Sequence, residues 1–217
     1  YAKSVIDRLH ATFPDARVLI GIREQKSCIL SHYRQYIRQG GFRSIYDFLN
    51  PPAKAGYRAI CRLDHFEYHL MVSYCQRLFG TERVLVLPLE LLRQDAELYL
   101  QKLYGFMGLP KADVSVQRPS NVGWHALTLR LCRGLNKHRI ASIDIQRKDK
   151  SLSFRIRDKL IRHFNEVVPR SLSARMEAGM RQEIEKCTTG YFGSSNRELQ
   201  RITGIDLHEM NYDLDLS

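Results

Sequence analysis

No apolar run in this sequence approaches the roughly 20 residues that a helix needs to cross a bilayer. The longest, Val18-Leu19-Ile20-Gly21-Ile22 and Val84-Leu85-Val86-Leu87, are the length of buried strands. Cysteine is scattered: Cys28, Cys61, Cys75, Cys132 and Cys187 stand far apart with no CxxC pair, which leaves a zinc cluster without support. Their odd number argues against a complete disulfide framework, so they read as mostly buried thiols in a reducing, cytoplasmic compartment. There is no GxxxxGKS or GxxxxGKT phosphate loop, no internal repeat and no low-complexity tract. Acidic residues are outnumbered, 23 against 34 Lys and Arg, for a net charge of +11. Such a surface favours an anionic partner: nucleic acid, an anionic lipid face, an acidic glycan or a phosphorylated nucleotide. No zinc finger, helix-turn-helix or RNA-binding aromatic signature accompanies the charge, so nucleic acid is not the expected partner.

What is present is an alternation of helical and strand periods. Val5, Leu9 and Phe13 mark an amphipathic helix over 3–13, and because the chain opens inside it, an upstream segment is expected. A continuously apolar strand over 17–22 follows, then a helix over 27–39 with Ile29, Tyr33 and Ile37 as its core stripe. Ser44–Leu49 reads as a short helix. Asp64 is placed to cap a helix over 65–79 whose stripe is Phe66, Leu70, Tyr74 and Leu78. A second strand spans 83–87, and helical sequence runs from there to Met107 with a break at Gln94-Asp95. Helix–strand–helix–helix–strand–helix implies an α/β fold with a parallel sheet and crossover helices. Beyond a polar loop over 111–122, helices are predicted over 124–136, 155–165, 173–187 and 195–203, with no strand. The expectation is one domain over 1–217, with an α/β portion over 1–110 and a mostly helical portion over 111–217.

Arg23 falls at the carboxyl end of the first strand, the edge at which open α/β sheets bind ligands. Ser31 follows eight residues later, in the early turns of a helix whose start offers amide donors and positive potential. A guanidinium and a hydroxyl can together hold one phosphate. By spacing alone, a salt-bridged arginine and a solvent-facing serine account for the pair more readily, and both readings stand at this point.

The wording around these residues is more specific. Pro14-Asp15-Ala16-Arg17-Val18-Leu19-Ile20-Gly21-Ile22-Arg23, ending in Ser31-His32-Tyr33, resembles the 3′-phosphate-binding segment of sulfotransferases that use the donor PAPS. Phe79 through Leu92 is similar to that family's second strand and acidic turn, and Leu103-Tyr104-Gly105-Phe106-Met107-Gly108-Leu109-Pro110 to the helix end that follows. Asn121-Val122-Gly123 with the helix to Asn136, and the run from Tyr191 through Leu207, resemble bacterial members. Glu24-Gln25 stands where the family has Asn-Pro or Asp-Pro, and Cys28 where many members carry a second arginine. The resemblance implies a P-loop-type parallel sheet, PAPS as donor and PAP as product, no metal, and Arg23 and Ser31 on the 3′-phosphate. It also places the 5′-phosphosulfate loop, the catalytic lysine and the general base upstream of Tyr1, so no residue of this chain is assigned a catalytic role. The acceptor, a glycan or a small molecule, is not named by the sequence, nor is the oligomeric state.

Weaker candidates surround this pair. Arg147-Lys148-Asp149-Lys150 is a nucleotide-covering loop or, more readily, a solvated face or acceptor patch. His32 is a cleft-lining or structural histidine. His65 and His69 have the i, i+4 spacing of a metal pair without a third ligand, and Trp124 is expected in the core. Two other classes fit the same architecture: a nucleotide kinase, which would prefer ATP and need Mg²⁺, and a basic nucleic-acid-binding module with steep salt dependence.

Overall fold

The computed structural model describes residues 2–50, 61–110, 123–137 and 152–215; the basic run 147–150 and the polar loop 111–122 lie outside them. In chain order come α1 (Ala2–Thr12), β1 (Val18–Ile22), α2 (Gln25–Arg38), α3 (Ile45–Leu49), α4 (Tyr68–Phe79), β2 (Val84–Pro88), α5 (Leu89–Gln94) and α6 (Ala96–Met107). Then follow α7 (Ala126–Lys137), α8 (Leu152–Val167), α9 (Arg170–Thr188) and α10 (Gly193–Thr203). The fold is α/β as expected: mostly helical, with one parallel two-stranded sheet, and with no strand among the described residues of its C-terminal half. The chain divides into two compact units, one made of 1–25, 63–118 and 189–217, the other of 26–62 and 119–188.

In the first unit β1 and β2 pair in parallel, Val18 opposite Val84 and Ile22 opposite Pro88. The unbroken apolar run of β2 is buried along nearly its whole length, as a strand covered on both faces should be, whereas β1 buries Ile20 and Ile22 and leaves Leu19 exposed. Pro88 has no N–H for a further ladder bond and ends β2 directly into α5. Ile20, Ile22, Val84 and Val86 form the core with Val72, Cys75 and Phe79 of α4, Leu199 of α10, and Leu207 and Tyr212 beyond it. The break at Gln94-Asp95 is a helix cap: the Asp95 carboxylate accepts from the Leu98 amide at 2.9 Å and starts α6. Gly108 ends α6 in the left-handed conformation, φ 70°.

Two expected helix faces are corrected. Of the 65–79 stripe Phe66 is buried and Leu78 packs on the core, but a 3-10 turn over Leu63–Phe66 contains Asp64, so α4 begins only at Tyr68 and buries Val72, Cys75 and Phe79, leaving Leu70 56% exposed. In α1 the stripe Val5, Leu9 and Phe13 is exposed. Polar contacts decide its rotation. Asp7 accepts from the Tyr74 phenol and from Lys3, Ile6 packs on the core, and His10 stands edge-on to Phe79 with ring centroids 5.0 Å apart.

In the second unit α2 buries Ile29, Tyr33 and Ile37 as its pattern predicts, with Tyr33 and Tyr36 against Phe48 of α3. Ser44 caps α3 by accepting from the Asp47 amide. The amides that open α7 are taken by side chains from further along the chain. His125 N–H donates to Asn165, and Ala126 N–H donates to the buried Ser173 hydroxyl. The Asn136 amide donates to the carbonyls of Ile37 and Gly41 and so closes the end of α2.

Candidate functional site

Arg23 is the first residue beyond β1 and is half-buried. Its Nε is shut off from solvent and has no hydrogen-bond partner among the described residues. A buried guanidinium donor left unmade costs on the order of 1–3 kcal/mol.

The backbone that carries Arg23 is held on every side by its own unit. Its carbonyl accepts from the Tyr68 phenol at 2.9 Å. The next amide, Glu24 N–H, donates to Glu90 Oε1 at 3.1 Å. The other oxygen of Glu90 accepts from the Tyr212 phenol at 3.2 Å. Tyr212 is buried, and burial first, then the charge of Glu90, pushes its phenol well above the usual range, so it stays a donor. Gln25, 1% exposed, donates to Oδ1 of Asn196 at 2.5 Å, and the Asn196 amide donates on to the Asp213 carbonyl at 2.7 Å. Both amides lie in the interior, where an unpaired one would be costly, and each satisfies the other.

Ser31 sits on α2 and is half-buried. Arg23 belongs to the first unit and Ser31 to the second. His32 is exposed, with Nε2 4.0 Å from the Cys28 sulfur. Trp124 is not a core residue: it is half-buried and carries the Arg38 guanidinium over its ring at 5.1 Å. His65 is exposed on the 3-10 turn, whereas His69 Nδ1 lies 2.8 Å from the buried Ser195 hydroxyl and ties α4 to α10. No group of three or more metal-ligating side chains occurs among the described residues. None of the five cysteines is in a disulfide, and Cys61, Cys75 and Cys132 are buried. Among the described residues no helix is long and apolar enough to cross a membrane.

The sequence pattern does not single out Tyr68 or Tyr212, and Glu90 and Asn196 fall within the runs that resemble the family without a role assigned to either. Tyr68, Glu90 and Asn196 each lie at least 45 residues from their partner at the Arg23 turn, and Tyr212 lies 122 from Glu90, beyond any local pattern. The one available signal was Glu90, a carboxylate two residues beyond a buried strand.

A family model described as a sulfotransferase family matches residues 4–113, which contain β1, the Arg23 turn, β2 and Glu90. No curated protein matches the chain.

Proposed function

The chain belongs to the sulfotransferase family, and from that premise we propose that it moves a sulfuryl group from PAPS to a hydroxyl or amine acceptor. Arg23 and Ser31 hold the 3′-phosphate of the donor. The observation that carries the reading is the buried, unpartnered Nε of Arg23 at the carboxyl end of β1. A phosphate oxygen at that nitrogen makes a charge-assisted hydrogen bond where burial otherwise exacts a penalty. Ser31 enters by resemblance, as the hydroxyl that follows such an arginine by eight residues. The setting is the P-loop-type sheet edge at which nucleotides bind.

In the reaction the bond from sulfur to the bridging oxygen of the donor breaks, and a bond from sulfur to the acceptor oxygen or nitrogen forms. The acceptor proton passes to a base, and the nucleotide leaves as PAP. Negative charge spreads over the sulfuryl oxygens and the departing phosphate, so positioned cations and amides lower the barrier much as they do in phosphoryl transfer. The part of this chain is to bind and orient the donor; the base is not assigned to any of its residues. The net charge of +11 favours an acidic acceptor, and five cysteines outside any disulfide fit a reducing, cytoplasmic setting.

The test is calorimetric titration with adenosine 3′,5′-bisphosphate and, separately, 5′-AMP, which differ only in the 3′-phosphate. A preference for the bisphosphate that Arg23→Ala reduces by about 10- to 100-fold is the expected result, the worth of one or two charge-assisted bonds. Equal affinity for the two nucleotides, or tighter binding of ATP with Mg²⁺, sinks the assignment.

A further inference from the structure

The peptide bond between Arg23 and Glu24 is gripped at both of its polar ends. Its carbonyl accepts from the Tyr68 phenol and its N–H donates to Glu90. A peptide unit is planar, so two bonds on opposite edges fix the plane and with it the direction in which the Arg23 side chain leaves the backbone. The Glu90 carboxylate has an assigned partner on each oxygen, Glu24 N–H on Oε1 and Tyr212 O–H on Oε2. The C-terminal segment reaches the same turn by a second route, from the Asp213 carbonyl through Asn196 to Gln25. That segment is itself shaped to return. Asn211 takes the left-handed conformation, φ 61°, and the Tyr212 amide bonds back to the Leu207 carbonyl at 3.1 Å.

From this we infer that Glu90 is a positioning residue for Arg23, set in place by Tyr212, so that the C-terminal segment governs how well the turn after β1 discriminates a 3′-phosphate. The inference rests on the proposed donor site. A carboxylate near a phosphate is unfavourable as a ligand; as a brace its charge is spent on two donors that an apolar side chain would leave unmade. Glu90 therefore acts through the backbone of Arg23 and Glu24, and a small displacement there lowers affinity for the one group that Arg23 contacts.

Three variants and two ligands test it. The readout is the ratio of affinities for adenosine 3′,5′-bisphosphate over 5′-AMP, with the urea midpoint measured alongside. Glu90→Ala is expected to lower the ratio about tenfold, and Glu90→Gln, whose amide oxygen still accepts from Glu24, only about two- to threefold. Tyr212→Phe is expected to lower it about threefold and to add nothing in the Glu90→Ala background, because the two act in series. A ratio that stays at the wild-type value while the urea midpoint falls identifies a merely structural role and overturns the inference. If Arg23→Ala abolishes the preference and the Glu90 variants do not alter it, the inference alone fails. If the wild-type chain has no preference, the donor site fails and the inference with it. Hydrogen exchange at the Glu24 amide reads the brace without any ligand: protection in the wild type and in Glu90→Gln but not in Glu90→Ala is expected, and rapid exchange in the wild type overturns the inference.

Discussion

At the residue scale, the positions that matter most are those where the chain has no room to adjust. A methyl group added at Gly193 would lie 1.6 Å from the Asp215 carbonyl oxygen, a backbone atom that can yield only if the C-terminal segment moves. Gly193→Ala is expected to cost about 1–3 kcal/mol in urea unfolding. Gly134, in the exposed middle of α7 with nothing near its added methyl, is the control, and Gly134→Ala should be neutral or stabilising by up to about 1 kcal/mol. Thiol chemistry follows burial in the same way. Burial, with a smaller contribution from Cys28, pushes the Cys61 thiol up to about 11, and burial also raises Cys75. Since the thiolate is the nucleophile, both should resist iodoacetamide at pH 8 in the folded protein and react on unfolding, as peptide mass spectrometry would record. Rapid labelling of native Cys61 would contradict its placement.

Individual elements owe their limits to caps and their rotation to partners. Asp95 divides α5 from α6 through one side-chain bond to the Leu98 amide. Asp95→Ala should cost about 1 kcal/mol and Asp95→Asn much less, since the asparagine oxygen can still accept. That break was legible in the sequence because it is local: a polar capping residue interrupts an apolar period. The rotation of α1 and α4 was not. Both helices carry apolar residues on more than one face, Leu70 and Met71 beside Val72 in α4, and Val5 beside Ile6 in α1. The choice between faces fell to groups distant in sequence, Tyr74 with Asp7 and His10 with Phe79. Amphipathic period therefore predicted that these helices exist, and tertiary partners selected the side they bury.

The second unit carries a pH dependence that the sequence did not suggest. Burial works to raise Glu177, but the Arg181 and Arg34 guanidiniums together outweigh it and hold its carboxyl below the ordinary 4.5. A depressed carboxylate contributes fully above its unfolded value and loses that contribution as pH falls through the folded one. Wild type is thus expected to exceed Glu177→Gln by about 1 kcal/mol at pH 7, with the gap closing below pH 4.5 in urea unfolding. An unchanging gap would show that the ion pairs contribute nothing.

Across the molecule, what the sequence determined by itself was whatever depends on short-range order. This includes the two apolar strands and their parallel pairing, the helix order, the stripe of α2, the cap at Asp95 and the place of Arg23 at a strand end. Each follows from side-chain period, turn chemistry or steric limits within a few residues. Only the tertiary structure decided what surrounds Arg23. The enclosure of its Nε, the grip of Tyr68 and Glu90 on its peptide bond, and the buried pair of Gln25 with Asn196 join segments as far as 171 residues apart. A buried polar group must find a partner wherever the fold brings one, and such partners leave no periodic trace along the chain.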